Sequence, residues 1–149
     1  MTSLADARVL FVAAAGPRRG FGHLSRCLSF AHALGVRPLL AVVGNLHAAE
    51  TAVALGADVI ADATPLLISQ VHPDVVIVDE PVASQARLWV EAARRAGALA
   101  VSVHDDLGNR VLIALGGSAH NRSVAAVAEA LVGAHPYADV TFEAASAAA

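Results

Sequence analysis

A doubly wound, mostly parallel α/β sheet with helices on both faces is the architecture this sequence predicts. Short β-rich apolar runs alternate with helical stretches from one end of the chain to the other. The composition is 56% hydrophobic but only 4% aromatic, so Val, Leu, Ile and Ala must build the core, as in sheets buried on both faces. A glycine-rich segment, Gly20-Phe21-Gly22-His23-Leu24-Ser25-Arg26-Cys27, separates the first apolar run from the first helical one.

The elements follow in order. Arg8 to Ala14 reads as a strand, and His23 to Leu34 as a helix with Leu24, Cys27, Leu28, Ala31 and Leu34 on one face. Gly35 stops it. Pro38 to Val43 is the second strand, Leu46 to Leu55 a helix ended by Gly56, and Asp58 to Ala61 a short third strand. A brief helix around Pro65 to Gln70 leads into Val75-Val76-Ile77-Val78, an unbroken apolar run that reads as a central, fully buried strand ending in Asp79-Glu80. Ser84 to Ala96 is a helix with Ser84 as its N-cap and Gly97 as its stop, followed by a strand over Leu99 to Val103. Val111 to Leu115, Asn121 to Leu131 and Ala138 to Phe142 read as strand, helix and strand.

At 149 residues the chain fits one domain that buries roughly 70% of its unfolded surface. We place that Rossmann-like domain at residues 1–143, with 8–110 as its main part, 111–143 as a trailing strand-helix-strand piece, and 144–149 as a frayed tail. The expected order of the first five strands is 3-2-1-4-5, which opens a crevice between strands one and four.

Composition excludes several functions. No apolar run reaches the ~20 residues of a membrane span, and the start of the chain lacks a signal-peptide layout, so the expected location is cytoplasmic. A formal charge of −3 gives no basic field for nucleic acid. All ten basic residues are Arg, which removes Schiff-base chemistry and any phosphate-loop lysine. The single cysteine, Cys27, falls on an apolar helix face and reads as core, and the Cys and His spacing offers no metal set.

The glycine segment carries the chemistry. Gly20 and Gly22 let the backbone approach a ligand, and the helix that follows presents unpaired N–H groups and a positive dipole end. His23 at that helix mouth is disfavoured as imidazolium and so reads as a neutral general base. Arg26 is either an anion contact or a solvated helix residue. Across the crevice, Asp79 and Glu80 are placed to orient His23 or to bind hydroxyl groups. One strand further out stand Asp105 and Asp106; with His104 they point in different directions and suit anchoring better than chelation. Gly116-Gly117-Ser118 forms a second glycine turn able to receive phosphate. The first loop is no Walker motif, and as a dinucleotide fingerprint it is imperfect. It ends in Ser25, and strand two runs into Val43-Gly44-Asn45 without an acid for a ribose. No cofactor is expected on that basis.

Three motifs in order resemble the nucleotide-sugar hydrolase of pseudaminic acid biosynthesis and its spore-coat polysaccharide relatives, which share the two-lobed GT-B glycosyltransferase fold. They are the Gly20 to Cys27 loop, the Pro73 to Asp79 strand followed by a helix containing Trp89, and the strand ending in Asp105-Asp106-Leu107. Leu115-Gly116-Gly117-Ser118 and Asn121 resemble the start of that family's second lobe, most of which this chain lacks. The resemblance implies an enzyme acting on a nucleotide-linked sugar, with His23 activating water for attack at the anomeric carbon, no metal and no redox cofactor. Hydrolysis and sugar transfer stay open, as does completion of the cleft by a homodimer or a separate second-lobe partner. Two rivals stand beside it: a non-catalytic sugar- or nucleotide-binding assembly module, and a small dinucleotide-binding regulator.

Overall fold

The computed structural model describes residues 7–15, 22–44, 46–61, 63–80, 82–104, 110–114 and 139–143. They form seven strands and four helices: β1 (Val9–Ala15), α1 (Gly22–Leu34), β2 (Leu39–Gly44), α2 (Leu46–Ala54), β3 (Asp58–Ala61), α3 (Leu67–Val71), β4 (Val75–Asp79), α4 (Ala83–Arg95), β5 (Leu99–His104), β6 (Arg110–Ala114) and β7 (Asp139–Glu143). The expected helix over Asn121 to Leu131 and the tail at 144–149 lie outside the described residues. The strands make one sheet in the order β3-β2-β1-β4-β5-β6-β7, and the first five are parallel. This is a Rossmann-like α/β fold.

Burial on both faces sets the residue pattern. Val9, Phe11 and Ala13 of β1 pack with Val75 and Ile77 of β4 beneath Leu24, Cys27, Phe30 and Ala31 of α1 and Ala52 of α2. Leu10 and Val12 turn the other way and pack with Val76 and Val78 against Ile68 of α3 and Ala86, Trp89 and Ala93 of α4. Every residue of β4 is buried, as its unbroken apolar run predicts. Cys27 belongs to this core, its Sγ 4.0 Å from the Val12 carbonyl oxygen.

Three helices end by the same device. In α1 the Gly35 amide donates to the His32 carbonyl and the Val36 amide to the Ala31 carbonyl, the paired bonds of a Schellman stop. The Gly56 and Ala57 amides repeat this on Val53 and Ala52, and the Gly97 and Ala98 amides on Arg94 and Ala93. The motif needs a left-handed residue, and Gly35, Gly56 and Gly97 have φ of 67°, 93° and 76°. Each glycine is thus the point where a helix turns back into the sheet.

The start of β1 is fastened to the start of β4. The Arg8 amide donates to Asp74 Oδ2 at 2.8 Å, and the Asp74 amide returns a bond to the Arg8 carbonyl at 2.8 Å. The Arg8 guanidinium also donates to the Val71 carbonyl at 2.6 Å, holding the end of α3. These bonds fix Val9 opposite Val75, and from there Ala13 opposite Asp79.

One strand departs from the parallel pattern. β6 runs antiparallel to β5, with His104 opposite Arg110. A parallel neighbour needs a crossover of about a dozen residues or more. Only residues 105–109 join β5 to β6, so the chain must reverse. β7 then pairs parallel to β6.

A methyl group at Gly35 or Gly56 would meet nothing within 4 Å, so substitution there tests the backbone alone. Gly35→Ala and Gly56→Ala are each expected to cost about 1–2 kcal/mol in urea unfolding; unchanged midpoints would contradict the assigned turns. Asp74→Ala is expected to cost about 1 kcal/mol, and Asp74→Asn, which keeps an acceptor for the Arg8 amide, less.

Candidate functional site

The strand order reverses between β1 and β4, because β1 connects outward to β2 while β4 lies on its other side. The connections leaving β1 and β4 therefore pass to opposite faces of the sheet and leave a crevice at the carboxyl ends of these strands. Among the described residues, the buried polar side chains are Asp79, Glu80 and Ser102, exposed by 1%, 1% and 3%. Asp79 and Glu80 stand at the carboxyl end of β4, and Ser102 lies in the carboxyl-terminal half of β5. Burying two acids is expensive unless hydrogen bonds compensate, so their gathering at one edge sets that edge apart from the apolar remainder of the sheet.

Alternation along β4 assigns the two acids to different faces. Asp79 continues the side of Val75 and Ile77, the face covered by α1, and pairs with Ala13 of β1. Glu80 serves the turn into α4: its Oε1 accepts the Val82 amide at 3.0 Å, and the Val82 carbonyl accepts the Gln85 and Ala86 amides. This corrects the expectation for Ser84. The N-cap of α4 is Val82, with no side-chain cap bond, and Ser84 lies inside the helix. The helix starts earlier because the Glu80 carboxylate already organises its entry. Ser102, level with Val78, was not singled out from the sequence. Its one signal is a hydroxyl interrupting the apolar run Leu99-Ala100-Val101.

On the β1 side, Gly22 is the first residue of α1, His23 the second and Arg26 the fifth. The helix runs from the carboxyl edge of β1 to the start of β2, so its amino end opens on the crevice edge. No acidic residue occupies its first turn. At α4 the equivalent region is approached by Glu80.

Gly20, Asp105, Asp106, Gly116, Gly117 and Ser118 lie outside the described residues. The antiparallel β6 closes at Ala114 opposite Ala100, at the amino-terminal edge of β5. It starts at the other edge, where His104, Arg110 and Asp139 align across β5, β6 and β7. Arg110 and Asp139 carry no local signal of this placement, since it follows from the reversal of the chain. Among the described residues no group of three or more His, Cys, Asp or Glu is arranged for a metal ion, and no helix is long and apolar enough to cross a membrane.

No protein-family model and no curated protein matches the sequence. Among solved structures, the fold is similar to prephenate dehydrogenase from Aquifex aeolicus in complex with hydroxyphenyl propionate and NAD+, with a TM-score of 0.53 and 15% identity over 96% of this chain and 62% of that one. A second structure of prephenate dehydrogenase from Aquifex aeolicus gives a TM-score of 0.53 and 16% identity over 91% and 61% of the two chains. The chain thus spans about three fifths of the length of these enzymes.

These findings overturn the resemblance to nucleotide-sugar hydrolases and GT-B glycosyltransferases, and with it the expected attack at an anomeric carbon, the sugar ligand, the role in polysaccharide biosynthesis and the assembly module derived from that lobe. The physical reason is visible in the motifs. Leu24 and Cys27 of α1 in the core, an apolar β4 ending in an acid, and Trp89 packed beside Ala86 and Ala93 are parts that build a sheet of this topology. They report the fold and not a sugar substrate.

Glu80→Ala is expected to destabilise the protein by about 1.5–3 kcal/mol and to speed hydrogen exchange at the Val82 amide. Glu80→Gln, which keeps an acceptor oxygen, is expected to cost less in both measurements.

Proposed function

We propose that this chain is a dinucleotide-binding domain of the dehydrogenase type, which holds the pyrophosphate of its ligand at the amino end of α1 and ligand hydroxyl groups against the acids at the end of β4. The observation that carries this reading is the meeting of two features at one edge. The described buried polar side chains gather beside the switch point, and α1 opens there without an acid in its first turn.

The residues fit the phosphate half of such a ligand. β1 ends in the sequence Ala13-Ala14-Ala15, residues small enough to suit close approach of a ligand. Gly20 and Gly22 give the backbone the same freedom, Arg26 supplies a fixed positive charge, and His23 at the helix mouth donates to a phosphate oxygen. Asp79, paired with Ala13, stands two residues below the end of β1, roughly 7 Å from the rim. That depth separates it from the phosphates and lessens their repulsion, and we assign it the role of accepting from a ligand hydroxyl. A bound nicotinamide dinucleotide would supply hydride-transfer chemistry; the residues named here bind and orient it. Because about two fifths of each similar dehydrogenase lies beyond the matched part, we assign binding to this chain and place substrate turnover outside the reading.

Calorimetry and thermal unfolding with NAD+, NADP+ and ADP test this reading. Ligand at about a hundred times its Kd adds ~2.7 kcal/mol, an expected rise in Tm of roughly 5–10 °C. Asp79→Ala is expected to weaken binding about tenfold or more, through loss of a charge-assisted hydrogen bond. No response to any of the three nucleotides would overturn the proposal.

A further inference from the structure

The sheet ends in β3 on one side and β7 on the other, and the two edges differ in charge and in what flanks them. We infer that β3 is an interface at which two copies of this chain pair edge to edge about a two-fold axis.

Three of the five exposed large apolar side chains among the described residues belong to the unit around β3. Val53 and Leu55 lie at the end of α2 and Leu66 opens α3, and they are exposed by 59%, 58% and 74%. Between them, Val59 and Ile60 of β3 are half-buried, Val59 on the face covered by α1 and α2 and Ile60 on the face of α3. One exposed leucine means little, but apolar side chains gathered on both sides of an open strand mark a contact surface. The charge of β3 is already met within the chain. Its one charged residue, Asp58, is held by Arg37, with Nε to Oδ2 at 2.8 Å.

The backbone phase of β3 is fixed by its other neighbour. The Asp58 amide donates to the Pro38 carbonyl, so Asp58 and Ile60 bond towards β2. Val59 and Ala61, in the alternate positions, turn their N–H and C=O groups to the open edge. An antiparallel second copy meets this phase with a two-fold axis through Val59. The two Val59 residues then exchange N–H···O bonds, and Asp58 stands opposite Ile60, so no like charges meet. The same operation centred on Thr141 of β7 would set Asp139 opposite Glu143, acid against acid. The β3 edge is thus self-complementary, neutral against neutral and apolar against apolar, as a two-fold contact requires.

The axis stands perpendicular to the sheet, so α2 stays on the side of α2 of the second copy and α3 on the side of α3. Antiparallel pairing directs the carboxyl ends of the two sheets in opposite directions. The two crevices between β1 and β4 therefore stay apart, and neither is completed by the other copy. With four residues in β3 and three apolar side chains around it, the contact falls at the low end of specific interface area, and a Kd of about 1–100 μM is expected.

Sedimentation equilibrium of the full chain from about 1 μM to 1 mM tests the inference, with an average mass expected to rise from one chain to two across that range. Val59→Pro removes an N–H that bonds to nothing within the sheet and is expected to weaken association about tenfold or more. Leu66→Lys, which replaces an apolar contact with a charge, is expected to do the same. Leu88→Lys, at an exposed leucine on α4, is expected to leave association unchanged. Thermal unfolding confirms that each variant folds, and should Val59→Pro fail to fold, Leu66→Lys decides. A single-chain mass up to about 1 mM, or association that neither variant at the β3 edge weakens, would overturn the inference.

Discussion

The pairing of β1 with β4 is the constraint on which the remaining architecture depends. Reciprocal hydrogen bonds between Arg8 and Asp74 start the two strands in register at one edge of the sheet, and five levels later that register sets Asp79 opposite Ala13 at the other. A slip of one residue would exchange the faces of every β4 side chain. Asp79 would then move from beneath α1 to the side of α4, and Val76 and Val78 would lose their places around Trp89. The exposed clasp at the amino-terminal edge thus controls the geometry of the crevice at the carboxyl-terminal edge.

The helices are held to this frame by repetition. α1, α2 and α4 each end in a glycine with positive φ and the same pair of amide bonds, and each returns at once to the sheet. Ala57 and Ala98, the residues after two of these glycines, are themselves buried, so the stop and the re-entry into the core are one event. The exposed Arg37–Asp58 pair, with Nε to Oδ2 at 2.8 Å and Nη2 to Oδ1 at 3.0 Å, ties the starts of β2 and β3 but adds little in water. Stability comes from the two apolar layers and from the backbone bonds that close each unit.

Against that apolar background the carboxyl ends of β4 and β5 are costly. Asp79, Glu80 and Ser102 replace side chains that would have contributed burial of apolar surface. Glu80 recovers part of the cost by ordering the entry to α4. The arrangement contrasts with α1, whose first turn carries no acid. The amino ends of α1 and α4 thus lie at the same edge of the sheet, with Glu80 engaging the entry to α4 and no acid in the first turn of α1.

Much of this was legible in the residues themselves. Alternating apolar periodicities located β1 to β5 and their order, because strands buried on both faces cannot hide their runs; Gly35, Gly56 and Gly97 marked the helix ends, because only a left-handed residue closes those turns. The acids after Val78 were visible too, as an abrupt end to an apolar strand. What local pattern does not encode is direction and depth. The reversal at β6 follows from the length of a link and the availability of a sheet edge, and it moves Ala114 away from the crevice while aligning Arg110 with His104 and Asp139. Burial of Ser102 and the different duties of Asp79 and Glu80 likewise arise only when α1 and α4 cover opposite faces of the sheet. The motifs mistaken for a sugar-enzyme signature show the same limit: a glycine turn, a buried strand and a core tryptophan state how a chain folds, and only their arrangement in space decides which edge is left to meet a ligand.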